Sequence, residues 1–155
     1  MKKSILSSLA AFVLAALIVL SSGGNAAFAF SANTWYSKAS GYEEIYEGAK
    51  KEDKPFLLFF YVDWCGYCRR FQSELLDDSK VQQFIASQYR VKINPEDGEQ
   101  EKIIAMKYGV SGYPDFRVVF PDGGSVEVHP FKAGGVICTP EEFIAALEAA
   151  LAGKK

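Results

Sequence analysis

Two cysteines lie at a point in this chain where a thiol is readily activated. The pentapeptide Trp64-Cys65-Gly66-Tyr67-Cys68 follows the apolar run Phe56 to Val62, which predicts a buried strand, and precedes a helical pattern. The first thiol then lies over the helix N-terminus, where free backbone N–H groups and the helix dipole favour a thiolate. Because the thiolate is the nucleophile in thiol–disulfide exchange, the spacing predicts a redox-active dithiol in which Cys65 attacks and Cys68 resolves.

The alternatives for the cysteine pair are a structural disulfide and half of a metal site. A tetrahedral zinc site needs four ligands, but His129 is the single histidine of the chain and Cys138 is distant in sequence. We therefore expect no metal ion, and thiol–disulfide exchange requires no organic cofactor. Cys138 is interpreted as a small buried hydrophobic residue, with a regulatory or intermolecular thiol as the alternative.

The N-terminus has the pattern of a secretory signal peptide. Two lysines precede the apolar segment Ile5 to Leu20, and small residues follow it up to Ala27-Phe28-Ala29. The alternative is an uncleaved anchor, but the segment has about 16 residues, fewer than the roughly 20 that span a bilayer. We predict cleavage after Ala29, which makes residues 1–29 the signal peptide. Residues 30–155 are then a single domain that is exported and is periplasmic or secreted.

The charge of the mature chain excludes some classes of partner. Lys2 and Lys3 belong to the predicted signal peptide, which leaves 15 of the 17 basic residues against 19 acidic residues, a formal charge of −4. An acidic domain is not expected to bind nucleic acid or an anionic membrane surface. Since no second apolar segment is long enough to span a bilayer, no stable membrane insertion is expected after cleavage, and a monomer is expected.

Helical and strand patterns alternate along the mature chain. They predict helices over 40–54, 65–87 with a break at 77–79, and 96–108, and strands over 56–62, 90–93, 116–120 and 125–129. The acidic residues between 96 and 101 are interpreted as the solvent-exposed first turn of a helix, where the helix dipole favours negative charge. A last helix is predicted to begin with a capping box formed by Thr139 and Glu142, with Pro140 at its first position. Crossovers followed by a hairpin predict a mixed sheet with helices on both faces.

This order of elements and three motifs resemble the thioredoxin fold, an α/β fold with a central mixed β-sheet flanked by helices on both faces. The first motif is Trp-Cys-Gly-Tyr-Cys. The second is the segment Lys107 to Pro114, which looks like the approach to the family's cis-proline, and the third is the hairpin from Phe116 to Val128. The resemblance extends over Gly41 to Leu151, so residues 30–155 are expected to be one thioredoxin-like domain. The chain is identified as a member of the thioredoxin-like superfamily and is similar to the exported thiol:disulfide interchange proteins.

The resemblance implies an enzyme, a protein-disulfide oxidoreductase that exchanges disulfides with protein substrates through a redox-active Cys65–Cys68 disulfide. The reductase direction is expected, because Trp-Cys-Gly-X-Cys resembles the reducing branch of the family. A membrane electron-donor reductase must then recharge the dithiol. One alternative is a disulfide oxidase or isomerase of the same fold. Another is a non-catalytic module that binds a client protein or a metal such as copper.

The resemblance also implies supporting roles around the dithiol, with Cys65 as an exposed nucleophile. Trp64 is expected to shield one side of the pair, Gly66 to let another chain approach, and Tyr67 to line the rim. Pro114 is expected to be cis, which leaves the Tyr113 backbone free to pair with an extended substrate.

Departures from the family pattern affect proton transfer and the substrate groove. Phe59 stands where the family has a buried aspartate that assists the resolving thiol, and Lys92 stands where that aspartate's lysine partner would be. We therefore predict Asp63 and Lys92 as proton-transfer groups, with solvated strand-end residues as the alternative for both. Asp115 follows the proline where thioredoxin carries threonine, and its charge is expected beside the groove.

Overall fold

The computed structural model describes residues 34–153, and the predicted signal peptide with its cleavage site lies outside the described residues. The strands are β1 (Tyr36–Ser37), β2 (Phe56–Phe60), β3 (Tyr89–Ile93), β4 (Asp115–Val119), β5 (Ser125–Glu127), β6 (Phe131–Lys132) and β7 (Val136–Ile137). The helices are α1 (Lys38–Glu52), α2 (Gly66–Phe71), α3 (Ser79–Ile85), α4 (Glu99–Lys107) and α5 (Pro140–Ala152). A π-helical segment, Gln72–Leu76, joins α2 to the turn before α3, and a 3₁₀ turn, Ala133–Gly135, joins β6 to β7.

Five of the strands form one mixed sheet in the order β1-β3-β2-β4-β5. Strands β1 and β2 run parallel to β3, whereas β4 is antiparallel to β2 and to β5. Helices α1 and α4 pack on one face, and α2, α3 and α5 pack on the other. The predicted mixed sheet with helices on both faces is therefore confirmed.

The central strand β2 is buried along its whole length, because both faces of the sheet are covered. Its side chains alternate between two cores. Leu57 and Phe59 lie in the core that contains the cysteine pair, while Phe56, Leu58 and Phe60 lie in the opposite core under α1 and α4. Each of these side chains is fully buried and contributes roughly 1.5–3 kcal/mol to the stability of the fold. The cysteine loop therefore leaves the sheet from the end of a strand that is held firmly on both faces.

The first helix after β2 is interrupted before α3. The Asp77 N–H donates to the carbonyl of Gln72 at 2.9 Å, which is a π-type bond, and the Asp78 side chain then accepts from the N–H of Lys80 at 2.8 Å as the N-cap of α3. The predicted break at 77–79 is confirmed. The predicted capping box of α5 is also confirmed, with the Glu142 N–H donating to Thr139 Oγ1 at 3.2 Å and the Thr139 N–H donating to the Glu142 carboxylate at 2.9 Å.

Helix α4 begins later than predicted, at Glu99 instead of residue 96. Asn94 forms a turn at the end of β3: its side chain accepts from the Glu96 N–H and its carbonyl accepts from the Asp97 N–H, both at 3.0 Å. These bonds hold the backbone in a turn and delay the helix by three residues. Strand β1 and the hairpin formed by β6 and β7 were not predicted, since each strand has two residues and so shows no alternation.

Candidate active site

The cysteine pair lies between the carboxyl end of β2 and the start of α2, where Cys65 and Cys68 form a disulfide with their Cα atoms 5.2 Å apart. Cys65 is the N-cap of α2, and its Sγ accepts a hydrogen bond from the Cys68 N–H at 3.0 Å. Its own N–H donates to the Val62 carbonyl at 3.1 Å, which fixes the turn that leaves β2. The sulfur of Cys65 thus faces the free N–H groups of a helix, an environment that favours a thiolate.

Cys65 is less accessible than the sequence predicts. Its exposed fraction is 5%, against 1% for Cys68, so the order of burial is as expected but neither sulfur protrudes. The aromatic residues next to the two cysteines in the sequence are exposed instead. Trp64 is 67% exposed and Tyr67 is 50% exposed.

Trp64 is exposed, and its two ends contact Glu96 and Tyr113. Its indole Nε1–H donates to the two carboxylate oxygens of Glu96, at 3.0 and 3.2 Å, and its ring meets the edge of the Tyr113 ring with centroids 6.4 Å apart. Sequence reasoning assigned Glu96 to a solvated helix start. The structure places it in the loop before α4 instead, in contact with the residue that precedes Cys65.

Tyr113 and Pro114 lie beside Trp64 at the start of β4, and the peptide bond between them is cis, as the resemblance implies. Both side chains are half-buried. Burial raises the pKa of the Tyr113 phenol, and the carboxylates of Glu96 and Asp115 add to the increase. At neutral pH the Tyr113 phenol is thus neutral.

Tyr67, between the two cysteines, contacts the hairpin of β6 and β7. Its ring meets the edge of the Phe131 ring with centroids 5.1 Å apart. A Cβ on Gly135, whose φ is +74°, would lie only 2.8 Å from the Tyr67 hydroxyl, so this glycine is needed for the close approach. Arg70 donates to the Gly135 carbonyl at 3.3 Å and lies 5.5 Å from the Phe131 ring centroid. The hairpin is thus attached to the dithiol helix.

Gly66 is exposed between the two cysteines and leaves space above α2. The nearest heavy atom to a Cβ placed on it is Arg69 Nη2, at 3.8 Å. Arg69 is held elsewhere, since its guanidinium donates to the backbone carbonyl of Asp63 at 2.9 Å. A side chain would therefore fit at this position, and the approach of another chain across Gly66 stays a prediction.

Phe59 fills the position under the dithiol where the family has an acid. It is fully buried and packs edge-on against Phe71 and at 6.2 Å from Phe116. Among residues 34–153 the buried carboxylates are those of Glu101 and Asp115. Glu101 accepts from the Ala39 N–H at 2.8 Å, far from the cysteine pair in the fold.

The Asp115 carboxylate, whose charge was expected beside the groove, is buried and paired with Arg117. It is 5% exposed and accepts two hydrogen bonds from Arg117, both 2.6 Å long. These bonds raise the pKa of the Arg117 guanidinium. Because Asp115 alternates with Phe116 along β4, and Phe116 faces the cysteine core, the carboxylate faces the opposite side of the sheet.

The two predicted proton-transfer residues lie at the end of the sheet near the dithiol. Asp63 is exposed in the turn before Trp64. Lys92 is half-buried, with its Nζ 5.7 Å from the Tyr61 ring centroid, and it lines a cavity of about 170 Å³ together with Phe59 and Asp77. Their role in proton transfer stays a prediction.

Cys138 is half-buried at the end of the hairpin, with its Sγ 3.8 Å from the His129 carbonyl. Burial raises the pKa of its thiol, and the Glu142 carboxylate adds to the increase. Within residues 34–153, no three histidine, cysteine, aspartate or glutamate side chains are close enough to bind a metal ion. Over the same residues, no helix has the length and apolarity needed to cross a bilayer.

A disulfide at the N-terminus of a helix and a cis-proline directly before β4 of this mixed sheet are two of the features that the resemblance to the thioredoxin fold implies. A family model described as a thioredoxin-like domain matches residues 42–151. The chain therefore belongs to the thioredoxin-like family.

Curated relatives include proteins named for disulfide chemistry. The chain is 33% identical over 102 residues to the probable protein disulfide-isomerase A6 of Medicago sativa, an alignment that covers 66% of this chain and 27% of that protein. It is 28% identical over 104 residues to the disulfide bond reductase DsbH of Chlamydia pneumoniae, covering 61% of this chain and 63% of that protein. The chain thus spans about a quarter of the length of the isomerase and less than two thirds of the reductase.

Solved structures confirm the fold. The oxidised C-terminal domain of Neisseria meningitidis DsbD superposes with a TM-score of 0.62 at 23% identity, covering 76% of this chain and 99% of that one. A DsbH oxidoreductase superposes with a TM-score of 0.62 at 22% identity, covering 86% of this chain and 96% of that one.

Proposed function

We propose that this protein is an exported thiol–disulfide oxidoreductase that reduces disulfides in protein substrates. The observation that carries the proposal is the disulfide at the N-cap of α2, where the Cys68 N–H points at the Cys65 sulfur from 3.0 Å. In the reduced state this N–H and the helix dipole stabilise a thiolate on Cys65, which is the attacking species in exchange.

The reaction consists of two exchanges. The Cys65 thiolate attacks one sulfur of the substrate disulfide, forming a mixed disulfide and releasing the first substrate thiolate. Cys68 then loses its proton and attacks the Cys65 sulfur, which restores the Cys65–Cys68 disulfide and releases the second substrate thiolate. The substrate gains two electrons and two protons, and the dithiol loses them. A protein dithiol of an electron-donor reductase must supply two electrons for the next cycle.

The reducing direction is supported by the likeness to a protein named a disulfide bond reductase. A second candidate is an isomerase, because several relatives are named protein disulfide isomerases and one is 33% identical over 102 residues. The two functions differ in the reduction potential of the Cys65–Cys68 pair. An isomerase has the higher potential and therefore leaves a larger share of its substrates' disulfide bonds oxidised.

The proposal also includes the export of the protein, the source of its electrons and its oligomeric state. The N-terminal pattern of residues 1–29 supports export to the periplasm or medium, as the sequence analysis predicts. In such a compartment the electrons come from a membrane electron-donor reductase. The domain is proposed to act as a monomer, with no nucleic-acid partner and no bound cofactor.

The reduction potential of the Cys65–Cys68 pair tests the direction. It is measured in defined thiol–disulfide buffers on the Cys138→Ala variant, with Cys65→Ser as the inactive control. We expect a potential near or below the roughly −230 to −270 mV of glutaredoxins and thioredoxin. A potential near roughly −180 mV with reshuffling of scrambled disulfides assigns the isomerase instead, and one near roughly −120 mV assigns an oxidase. A pair that cannot be cycled contradicts the proposal.

A further inference from the structure

Arg69 lies one helical turn after Cys65, and its backbone N–H donates to the Cys65 carbonyl at 3.2 Å. Side chains on an α-helix tilt toward the helix N-terminus, so a long side chain covers the turn that precedes its own residue. For Arg69 this is the turn that carries Cys65. The guanidinium is placed accordingly: Nη1 lies 2.9 Å from the Asp63 carbonyl, and Nη2 lies 3.8 Å from a Cβ built on Gly66.

The charge of Arg69 is exposed and is not paired with an acid in the described part of the chain. Among residues 34–153 its guanidinium forms no ion pair with a carboxylate, and its hydrogen bond goes to a backbone carbonyl. The next residue differs, since Arg70 pairs with Glu74 at 2.8 Å. Helix α2 therefore carries one compensated cation and one uncompensated cation, and the uncompensated one contacts the residues on either side of Cys65.

A positive charge at this place affects which disulfides react fastest. The attacking species is a thiolate and the chain is acidic, so a disulfide that carries carboxylates is repelled as it approaches. The guanidinium of Arg69 offsets this repulsion and can donate charge-assisted hydrogen bonds to a carboxylate. A disulfide that carries ammonium groups is instead repelled by the guanidinium.

We infer that Arg69 is a specificity-determining residue that favours disulfides with a carboxylate next to the sulfur that Cys65 attacks. The inference rests on the proposed function and adds a substrate class to it. In the first exchange the Cys65 thiolate bonds to one substrate sulfur, the substrate S–S bond breaks, and the other sulfur leaves as a thiolate. Arg69 takes no part in these bond changes and acts on the charge of the substrate.

The test compares three small disulfides that differ in charge: dithiodipropionate with two carboxylates, cystamine with two ammonium groups, and the neutral hydroxyethyl disulfide. All proteins carry Cys138→Ala, and second-order rate constants are measured with the pre-reduced protein by acid quenching and thiol alkylation. Each variant is described by the ratio of its dithiodipropionate and cystamine rate constants. A substitution that disturbs only the fold slows both reactions and leaves this ratio unchanged.

For Arg69→Gln we expect the ratio to fall by about fivefold or more. The variant loses an attraction for the dicarboxylate and a repulsion of the diammonium compound at once. The rate constant for hydroxyethyl disulfide should stay within about twofold, and Arg69→Lys, which keeps the charge, should keep most of the ratio. The acids near Trp64, which are Asp63 and Glu96, are present in every variant, so their effect is common to all.

Salt gives a second readout that a structural role would not change. The difference in ratio between the parent and Arg69→Gln should shrink as the salt concentration rises. At about 1 M salt the Debye length is roughly 3 Å, so the field of an exposed guanidinium is largely screened from the substrate.

Arg70→Gln is the matched control. It removes the same charge from the neighbouring residue of α2, but this charge is paired with Glu74 and its guanidinium donates to the Gly135 carbonyl on the hairpin. The ratio for Arg70→Gln should stay within about twofold of the parent ratio.

Three results overturn the inference. The first is the same ratio in the parent and in Arg69→Gln, and the second is an equal fall in Arg70→Gln. The third is a difference between the parent and Arg69→Gln that high salt leaves unchanged. A parent protein that reduces insulin but not dithiodipropionate overturns this inference alone. A parent that reduces neither insulin nor any of the three small disulfides overturns the proposed function as well.

Discussion

Asp63 is the exposed acid that is nearest in sequence to the attacking cysteine. Within residues 34–153 the two buried carboxylates are bonded to the Ala39 N–H and to Arg117. The proton on Cys68 therefore leaves through another side chain near the dithiol or directly to solvent. We predict that Asp63→Asn slows resolution of the mixed disulfide. The effect should be smaller than the roughly 100-fold contribution of a well-positioned general acid or base.

Asp97→Asn is the control for the loss of negative charge. Burial raises the pKa of the Tyr61 phenol, and the carboxylates of Asp97 and Asp63 both add to the increase, so the two acids act on the same region. Stopped-flow release of the second substrate thiol, followed from acidic to alkaline pH, measures the effect. Identical profiles for Asp63→Asn and the parent would assign the proton transfer to solvent.

Part of the site follows from the sequence alone. The helix N-terminus behind Cys65 is predictable because an apolar strand runs directly into a helical pattern. The contact between Trp64 and Glu96 was not predicted, although the sequence could have indicated it. Because β2 and β3 are parallel, residues shortly after each strand lie at the same edge of the sheet. The burial of Cys65 was not predictable, because Cys65 belongs to a core cluster that includes residues distant in the chain, such as Phe116 and Phe143.

At the scale of elements, the capping box of α5 offers a test of local stability. The Thr139 hydroxyl accepts from the Glu142 N–H, and α5 places three buried side chains in the cysteine core, those of Phe143, Leu147 and Ala150. Thr139→Ala should lower the free energy of unfolding by about 1 kcal/mol, with an unchanged m-value in urea. Thr139→Ser keeps the hydroxyl and should retain most of the stability. An equal loss in both variants would show that the threonine methyl group is what matters.

Elements with strong local signals were predicted, and those stabilised by distant contacts were not. Strand β2 has five consecutive buried residues, and α5 carries its own capping box, so each is visible in its own sequence. The hairpin of β6 and β7 has two residues in each strand and is turned by Gly134 and Gly135, both with positive φ. It contacts Tyr67 and Arg70 on α2 and Glu142 on α5, and no pattern within residues 131–137 indicates these contacts.

At the scale of the whole molecule, the two cores contribute differently to redox chemistry. The reduction potential depends on the stability difference between the oxidised and reduced forms, so contacts equal in both forms cancel. Ile45 lies in the core under α1, on the face opposite the disulfide. Ile45→Val should lower the free energy of unfolding by about 0.5–1.5 kcal/mol and leave the reduction potential within about 10 mV of the parent value.

Phe71→Leu is the comparison for that prediction, since Phe71 belongs to α2 and packs in the same core as Cys68. It should lower stability and also shift the reduction potential beyond the range found for Ile45→Val. Urea unfolding and equilibration with thiol buffers give the two quantities for each variant. If Ile45→Val moves the potential as far as Phe71→Leu does, the cores are coupled through the sheet.

The π-helical segment Gln72–Leu76 is the place in this helix where the loss of one residue is best tolerated. One π turn holds one residue more than an α turn, and the bond from Asp77 to Gln72 shows where the extra residue is accommodated. Deleting one residue there, such as the exposed Ser73, would turn the segment into an ordinary α turn while Cys68 and Leu75 keep facing the core. In the rest of that helix, a one-residue deletion would rotate all later side chains by about 100°. We therefore expect naturally shorter versions of this domain to have lost their residue here.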